Sequence, residues 1–93
     1  MKQLYVVYDS VAEHILSVVQ VLPNDAAARR MMRDVVNTPG NPISDRPGDF
    51  KLLTIGSVDD SGLVTPLYAV VAECSSLVVD PAQLALEVPD GRA

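Results

Sequence analysis

Three arginines at helical spacing are the residues best suited to bind another molecule. Arg29, Arg30 and Arg33 supply three of the seven basic residues in a chain whose formal net charge is −5. Arg29 and Arg33 are four residues apart, so a helix places them on one face. A guanidinium presents a planar fork of N–H donors that matches a phosphate group. The spacing therefore predicts a phosphate-binding helix face, to which Lys51 is added if its strand lies nearby.

The same arginines have two other interpretations. They form either a solvated helix face, partly paired with Asp25 and Asp34, or a contact with another protein. The excess of acidic residues argues against a general binder of duplex DNA, because such proteins usually carry a basic surface. It still allows a local basic patch, so both a nucleic-acid contact and a protein contact stay open.

Catalytic and metal-binding residues are scarce. His14 and Cys74 are the single histidine and cysteine, so one chain cannot assemble a Cys/His metal cluster or an internal disulfide. A Cys–His catalytic pair needs a cleft, which so small a sheet rarely offers. The segment Asp59–Gly62 lacks the further ligands of a calcium loop and is typical of a hairpin turn. Without a glycine-rich phosphate motif either, we expect no enzyme, no cofactor and no metal.

The aromatic residues give only a weak signal for base stacking. Tyr5, Tyr8 and Tyr68 are the candidates, since single-stranded bases stack on aromatic side chains. Tyr5 and Tyr8 lie on opposite faces of one strand, which is fewer per face than an RNA-binding sheet carries. We therefore expect these rings in the core or in a dimer contact.

The apolar pattern predicts the elements that position these residues. Asn24 is a favourable N-cap for a helix over residues 26–36. Pro66 favours either an edge position for its strand or a strand that starts after the proline. The long loop over residues 37–49 is rich in proline and glycine. β-Branched and aromatic runs predict four strands, at Leu4–Tyr8, His14–Leu22, Phe50–Val58 and Leu63–Glu73. The order β-β-α-β-β predicts an α+β fold, with a four-stranded, mainly antiparallel sheet and one helix on one face.

The length of 93 residues is that of one domain. We place the domain at residues 1–75 and a weakly structured tail at residues 76–93, in which 77–79 and 81–86 carry faint signals of a strand and a helical turn. The strands are apolar on both faces, and one helix covers only one of them. The other face must meet the tail, a ligand or a second copy, and we favour a homodimer through this sheet face.

The chain carries no sign of membrane insertion or export. No apolar run approaches the ~18 residues of a membrane span. The N-terminal Met-Lys-Gln leads straight into a strand pattern, without the apolar segment and cleavage site of a signal peptide. We therefore expect a cytoplasmic protein with no membrane partner.

Four segments, taken in order, resemble a known family: LYVVYDSVAE, NDAAARRMMRDVVN, RPGDF and KLLTIGSVDDSG. They are similar to the small nonstructural protein of gokushoviruses, the tailless single-stranded DNA phages of the Microviridae. The resemblance covers Leu4 to Pro66. It implies a viral protein that is absent from the mature capsid and is made in the cytoplasm of the infected bacterial host cell.

The resemblance also implies a function. The family is assigned a part in single-stranded DNA genome synthesis or packaging, or is described as DNA-binding. Arg29 or Arg30 matches a basic family position, whereas the other matching positions are structural: Asn24, Asp25, Gly56, Asp59 and Gly62. Our hypothesis is a non-enzymatic phage protein that binds single-stranded DNA or phage replication proteins. The alternative is a pure protein–protein interaction module for a procapsid, an initiator or a host factor.

Overall fold

β-Branched and aromatic residues build an antiparallel sheet, seen in a computed structural model that describes residues 1–79. β1 is flanked by β4 on one side and by both β2 and β3 on the other, and β5 pairs with the free side of β4. The strands are β1 (Lys2–Asp9), β2 (His14–Ile15), β3 (Gln20–Leu22), β4 (Phe50–Val58) and β5 (Val64–Glu73). With one long helix packed against this sheet, the structure confirms the α+β fold class.

The second predicted strand is wrong in one respect. His14–Leu22 was expected to be continuous, but it forms two short strands with residues 16–19 between them. Tyr8 pairs with Ile15 and Tyr5 pairs with Gln20. Four residues, 16–19, lie between Ile15 and Gln20, but only two residues of β1 lie between Tyr5 and Tyr8. The surplus residues leave the ladder, and the Ser17 hydroxyl accepts the Val7 N–H at 3.0 Å. The sheet therefore has five strands instead of four.

The helix α1 (Asp25–Val36) confirms the predicted helix and its start. The Asn24 Oδ1 accepts the Ala27 N–H at 2.9 Å, satisfying a backbone donor that has no partner within the helix. Ala28, Met32 and Val36, spaced four residues apart, are buried. They pack with Tyr5, Val7, Phe50 and Leu52 in one cluster, which fixes the inward face of α1.

The loop after α1 is ordered and partly helical. It contains α2 (Pro42–Asp45) and a 3-10 turn at Pro47–Asp49. The Asn41 Oδ1 accepts the Ser44 N–H at 2.9 Å, and the Ser44 hydroxyl lies 3.4 Å from the Asn41 N–H, which is a capping box. Ile43 enters the core, so a loop with three prolines is held by its own cap and one buried side chain.

β4 and β5 form the second hairpin. β4 has the predicted bounds, and a tight turn joins it to β5. Gly62 has φ +92°, a conformation that favours glycine. Of the two alternatives for Pro66, the edge position is confirmed: β5 is an edge strand, and it begins at Val64, before the proline. Gly56 has φ +153°, and a Cβ there would lie 2.5 Å from the Thr65 carbonyl oxygen, so the close approach of β4 and β5 requires glycine.

The chain after β5 returns to the helix. A 3-10 turn at Cys74–Leu77 follows β5 directly, with Cys74 buried and Leu77 packed against the core. Residues 78 and 79 do not form the strand suggested by their sequence. The suggested helical turn at residues 81–86 lies outside the described residues, and the domain boundary at residue 75 stays a prediction.

The sheet face away from α1, here called the far face, is also apolar. Val6 pairs with Leu53, and both are buried although neither belongs to the helix-side cluster. Val70 continues this row on β5 and is about half exposed. Apolar side chains therefore occupy both faces of the sheet, as the strand pattern indicated.

Candidate nucleic-acid interface

The inward face of α1 determines where its arginines lie. Because Ala28 and Met32 are buried against the sheet, the positions that follow each of them turn away from it. Arg29, Arg30 and Arg33 are all exposed. The structure thus brings together three of the four predicted contact residues on one outward surface, here called the arginine face.

The arginine face borders a shallow depression. It has a volume of about 350 Å³ and is lined by Ala26, Leu77 and the three arginines. Its apolar part comes from Ala26 and from Leu77, which lies in the turn after β5. Sequence reasoning missed this residue, and the only signal was its place at the start of the apolar run Leu77-Val78-Val79. Apolar side chains and guanidinium groups thus line the same depression, and these are the side-chain types that contact the bases and the phosphates of a single-stranded nucleic acid.

Asn37 joins the two elements that form this depression. Its Nδ2 donates to the Arg33 carbonyl oxygen at 2.7 Å and to the Leu77 carbonyl oxygen at 2.9 Å. Its Oδ1 accepts the Val79 N–H at 2.9 Å. One side chain therefore closes the end of α1 and holds the turn that carries Leu77 beside Arg33.

Asp25, which the sequence suggested as a partner of the arginines, is hydrogen-bonded to Tyr5. Its Oδ1 accepts a hydrogen bond from the buried Tyr5 hydroxyl at 2.6 Å. Burial, this hydrogen bond and the charge of Asp25 raise the pKa of Tyr5 above its ordinary value, and the charge of Arg29 opposes the rise. The bond ties β1 to the first turn of α1, so it positions the arginine face.

Lys51 is not part of this surface. It pairs with Tyr8 on one side and with Glu73 on the other. Its neighbours Phe50 and Leu52 point into the helix-side core, so Lys51 lies on the far face. Lys51 was expected to add to the arginines if its strand lay nearby. Its side chain lies on the opposite face of the sheet from α1, so the structure does not bring Lys51 and the arginines together.

The other residues considered for chemistry have structural surroundings. Burial and the nearby charge of Glu73 raise the pKa of the Cys74 thiol to about 11, whereas a reactive cysteine needs a lowered one. His14 is exposed on β2. The Asp59 Oδ1 accepts the N–H groups of Ser61 and Leu63 and the Ser61 hydroxyl, and these bonds lower its pKa. These are the contacts of a hairpin turn.

The part of the chain that the structure describes has neither a metal-binding cluster nor a membrane-spanning helix. Within residues 1–79, no group of three or more His, Cys, Asp or Glu side chains is arranged to hold a metal ion. No helix of that part of the chain is long and apolar enough to cross a membrane. The absence of catalytic and cofactor chemistry stays a prediction from the sequence.

The tyrosines divide as their spacing indicated. Tyr5 is fully buried in the helix-side core, whereas Tyr8 points to the far face, opposite Lys51. Tyr68, on β5, is 71% exposed. Only Tyr68 therefore presents most of its ring to solvent, and it lies on the edge strand instead of on the arginine face.

Comparison with known proteins identifies a family. A family model described as Phage ORF5 protein matches residues 2–77. The match includes every strand, both helices and all three residues of the arginine face. No curated protein and no solved structure matches the chain significantly.

Proposed function

The chain belongs to the Phage ORF5 protein family and is a phage protein, and from this premise we propose that it acts without catalysis in the synthesis or packaging of a single-stranded DNA genome. It binds DNA, or the replication complex assembled on it, through the arginine face. The observation that carries the proposal is the exposed group of Arg29, Arg30 and Arg33 around an apolar depression.

Phosphate binding follows from the type and placement of these side chains. Three guanidiniums lie within about one and a half helical turns, on a surface that the core packing of α1 directs outward. In a chain of net charge −5, such a group attracts phosphates only locally, since the rest of the surface repels a polyanion. A short, flexible single strand suits a small basic patch better than a long stiff duplex does.

The phage group and the cell compartment belong to the same proposal. The order of segments from Leu4 to Pro66 resembles the small nonstructural protein of gokushoviruses, and membership of a phage family supports this coarser part of the resemblance. A nonstructural protein of such a Microviridae phage acts in the cytoplasm of the infected bacterial host. We propose this setting for the chain.

The test is the fluorescence anisotropy of a labelled single-stranded oligonucleotide, titrated with the protein at several salt concentrations. Native protein should bind with an affinity that falls steeply as salt rises, because phosphate contacts release counterions. Arg29→Ala combined with Arg33→Ala should weaken binding and reduce the salt slope by about two.

Arg46→Ala is the matched control, since Arg46 is exposed in the loop after α2 and outside the arginine face. It should change the salt slope only by the small amount that follows from losing one positive charge elsewhere on the protein. The control removes one positive charge and the double variant two, so a loss in the control of half the loss in the double variant or more would show that net charge, and not the arginine face, governs binding.

A protein–protein interaction module is the second candidate. It is favoured by the acidic net charge and by the exposure of Leu67, Tyr68 and Val70 on one strand. If native protein leaves the anisotropy unchanged at low salt, this second candidate replaces DNA binding, and the partner is a replication initiator, a procapsid or a host factor.

A further inference from the structure

β5 differs sharply from the strand beside it. Most of β4 is buried, but in β5 every residue from Val64 to Val70 is exposed. Tyr68 is 71% exposed and Leu67 55%. An outer strand of a water-facing sheet alternates apolar and polar residues, whereas this stretch carries no charged residue. β5 therefore has the surface of an interface.

A groove runs along the helix side of β5. It has a volume of about 560 Å³ and lies between β5 and the start of α1. Leu67 and Ala69 form its β5 wall, and Asn24 and Asp25 lie on the opposite rim. On the far face, Val70 continues the row of Leu53. Apolar surface thus surrounds β5 on both sides of the sheet, and the groove has room for a large apolar side chain.

From this surface we propose that β5 is the homodimer contact, in which the β5 strands of two copies run antiparallel about a two-fold axis. Each copy places apolar side chains of β5 against the β5 strand and the groove of its partner. The proposal concerns self-association and is independent of whether the arginine face binds DNA.

The distribution of charge favours a second copy as the occupant. A nucleic acid needs cations and a basic protein needs anions, but Glu73, at the end of β5, is the only charged residue of the strand. In an antiparallel arrangement the two Glu73 side chains lie at opposite ends of the contact. A parallel arrangement in register would bring them together, and like charges facing each other are destabilising.

The size of β5 is sufficient for such a contact. At about 3.3 Å per residue, the strand is about 33 Å long, and side chains on both faces give it a width of about 15 Å. The two copies then bury roughly 1,000 Å² in total, which is the lower limit for a specific interface. We therefore expect a dimer that dissociates on dilution.

The mass of the protein in solution, measured by sedimentation equilibrium without DNA, tests the proposal. From micromolar to near-millimolar concentration, the native mass should rise from the 10.0 kDa of one chain towards twice that value. Leu67→Glu and Tyr68→Glu change exposed side chains, and each should raise the dimer dissociation constant on the order of a hundredfold, because the two-fold axis counts the change twice. Circular dichroism verifies that each variant is folded.

Val18→Glu is the matched control. Val18 is 75% exposed and apolar, but it lies between β2 and β3 at the opposite edge of the sheet. This variant should dimerise like the native protein. A native chain that stays monomeric throughout, a dimer that tolerates both β5 variants, or a dimer that Val18→Glu dissociates equally would each overturn the proposal.

Discussion

The bond between Tyr5 and Asp25 makes a measurable prediction about how the sheet holds α1. Tyr5→Phe removes the hydroxyl that donates to Asp25 at 2.6 Å and keeps the fully buried ring, so the apolar contacts of the core stay the same. A hydrogen bond to a charged group contributes about 1.5–3 kcal/mol. Because Asp25 is exposed and regains water in the variant, we expect the lower value, a loss of about 1.5 kcal/mol.

Urea unfolding followed by circular dichroism measures this loss. Tyr68→Phe is the control, since the Tyr68 ring is 71% exposed, and it should change the free energy of unfolding by less than about 0.5 kcal/mol. A loss in Tyr5→Phe no larger than the loss in Tyr68→Phe would refute the reasoning that this bond anchors α1 to β1.

The pH dependence of stability gives a second measurement, which reports on the burial of Tyr5 together with its bond to Asp25. The pKa of Tyr5 is raised by burial first and then by Asp25, so the folded protein favours the neutral phenol. The resulting contribution to the free energy of unfolding is fully present below the ordinary tyrosine pKa of about 10 and is lost as the pH rises above it. The native protein and Tyr68→Phe should therefore lose stability above that pH more steeply than Tyr5→Phe does.

Two further predictions concern the sheet and the thiol. Gly56→Ala should destabilise the fold by about 2 kcal/mol or more, because the new Cβ meets the Thr65 carbonyl oxygen in a backbone conformation that suits glycine; Gly48→Ala, which has open space, should have little effect in the same urea experiment. Cys74 should react with a thiol reagent far more slowly in the native protein than in urea, since it is fully buried and its pKa is raised to about 11; rapid labelling of the folded chain would contradict its place in the core.

Local signals of the sequence predicted the elements well where one chemical feature decides the outcome. Asn24 marks the start of α1, and Pro66 indicates the edge position of its strand. The bounds of β4 follow from an apolar run that ends at a turn. Each of these features acts within a few residues, so the rest of the fold is not needed to read it.

Features that depend on pairing could not be predicted in the same way. The apolar run from His14 to Leu22 is typical of one strand, but its register against β1 divides it in two. The sheet face on which Lys51 lies could not be predicted either, because Leu52 and Leu53 are both apolar and do not indicate which face packs against α1. Leu77 reaches the arginine face only because the chain returns to α1 after β5.

The interruption between β2 and β3 limits how many copies can join. A sheet with two complete edges offers two places for addition, and a head-to-tail contact between them propagates into a filament. Here one edge is divided into strands of two and three residues, too short to serve as a template for a further strand. The two edges are therefore unequal. In the association proposed through β5, the longer edge, neither copy keeps a complete edge for a further copy. The same irregular segment that defeats prediction from the sequence thus leaves each copy one complete edge, so the dimer proposed through β5 does not extend into a filament.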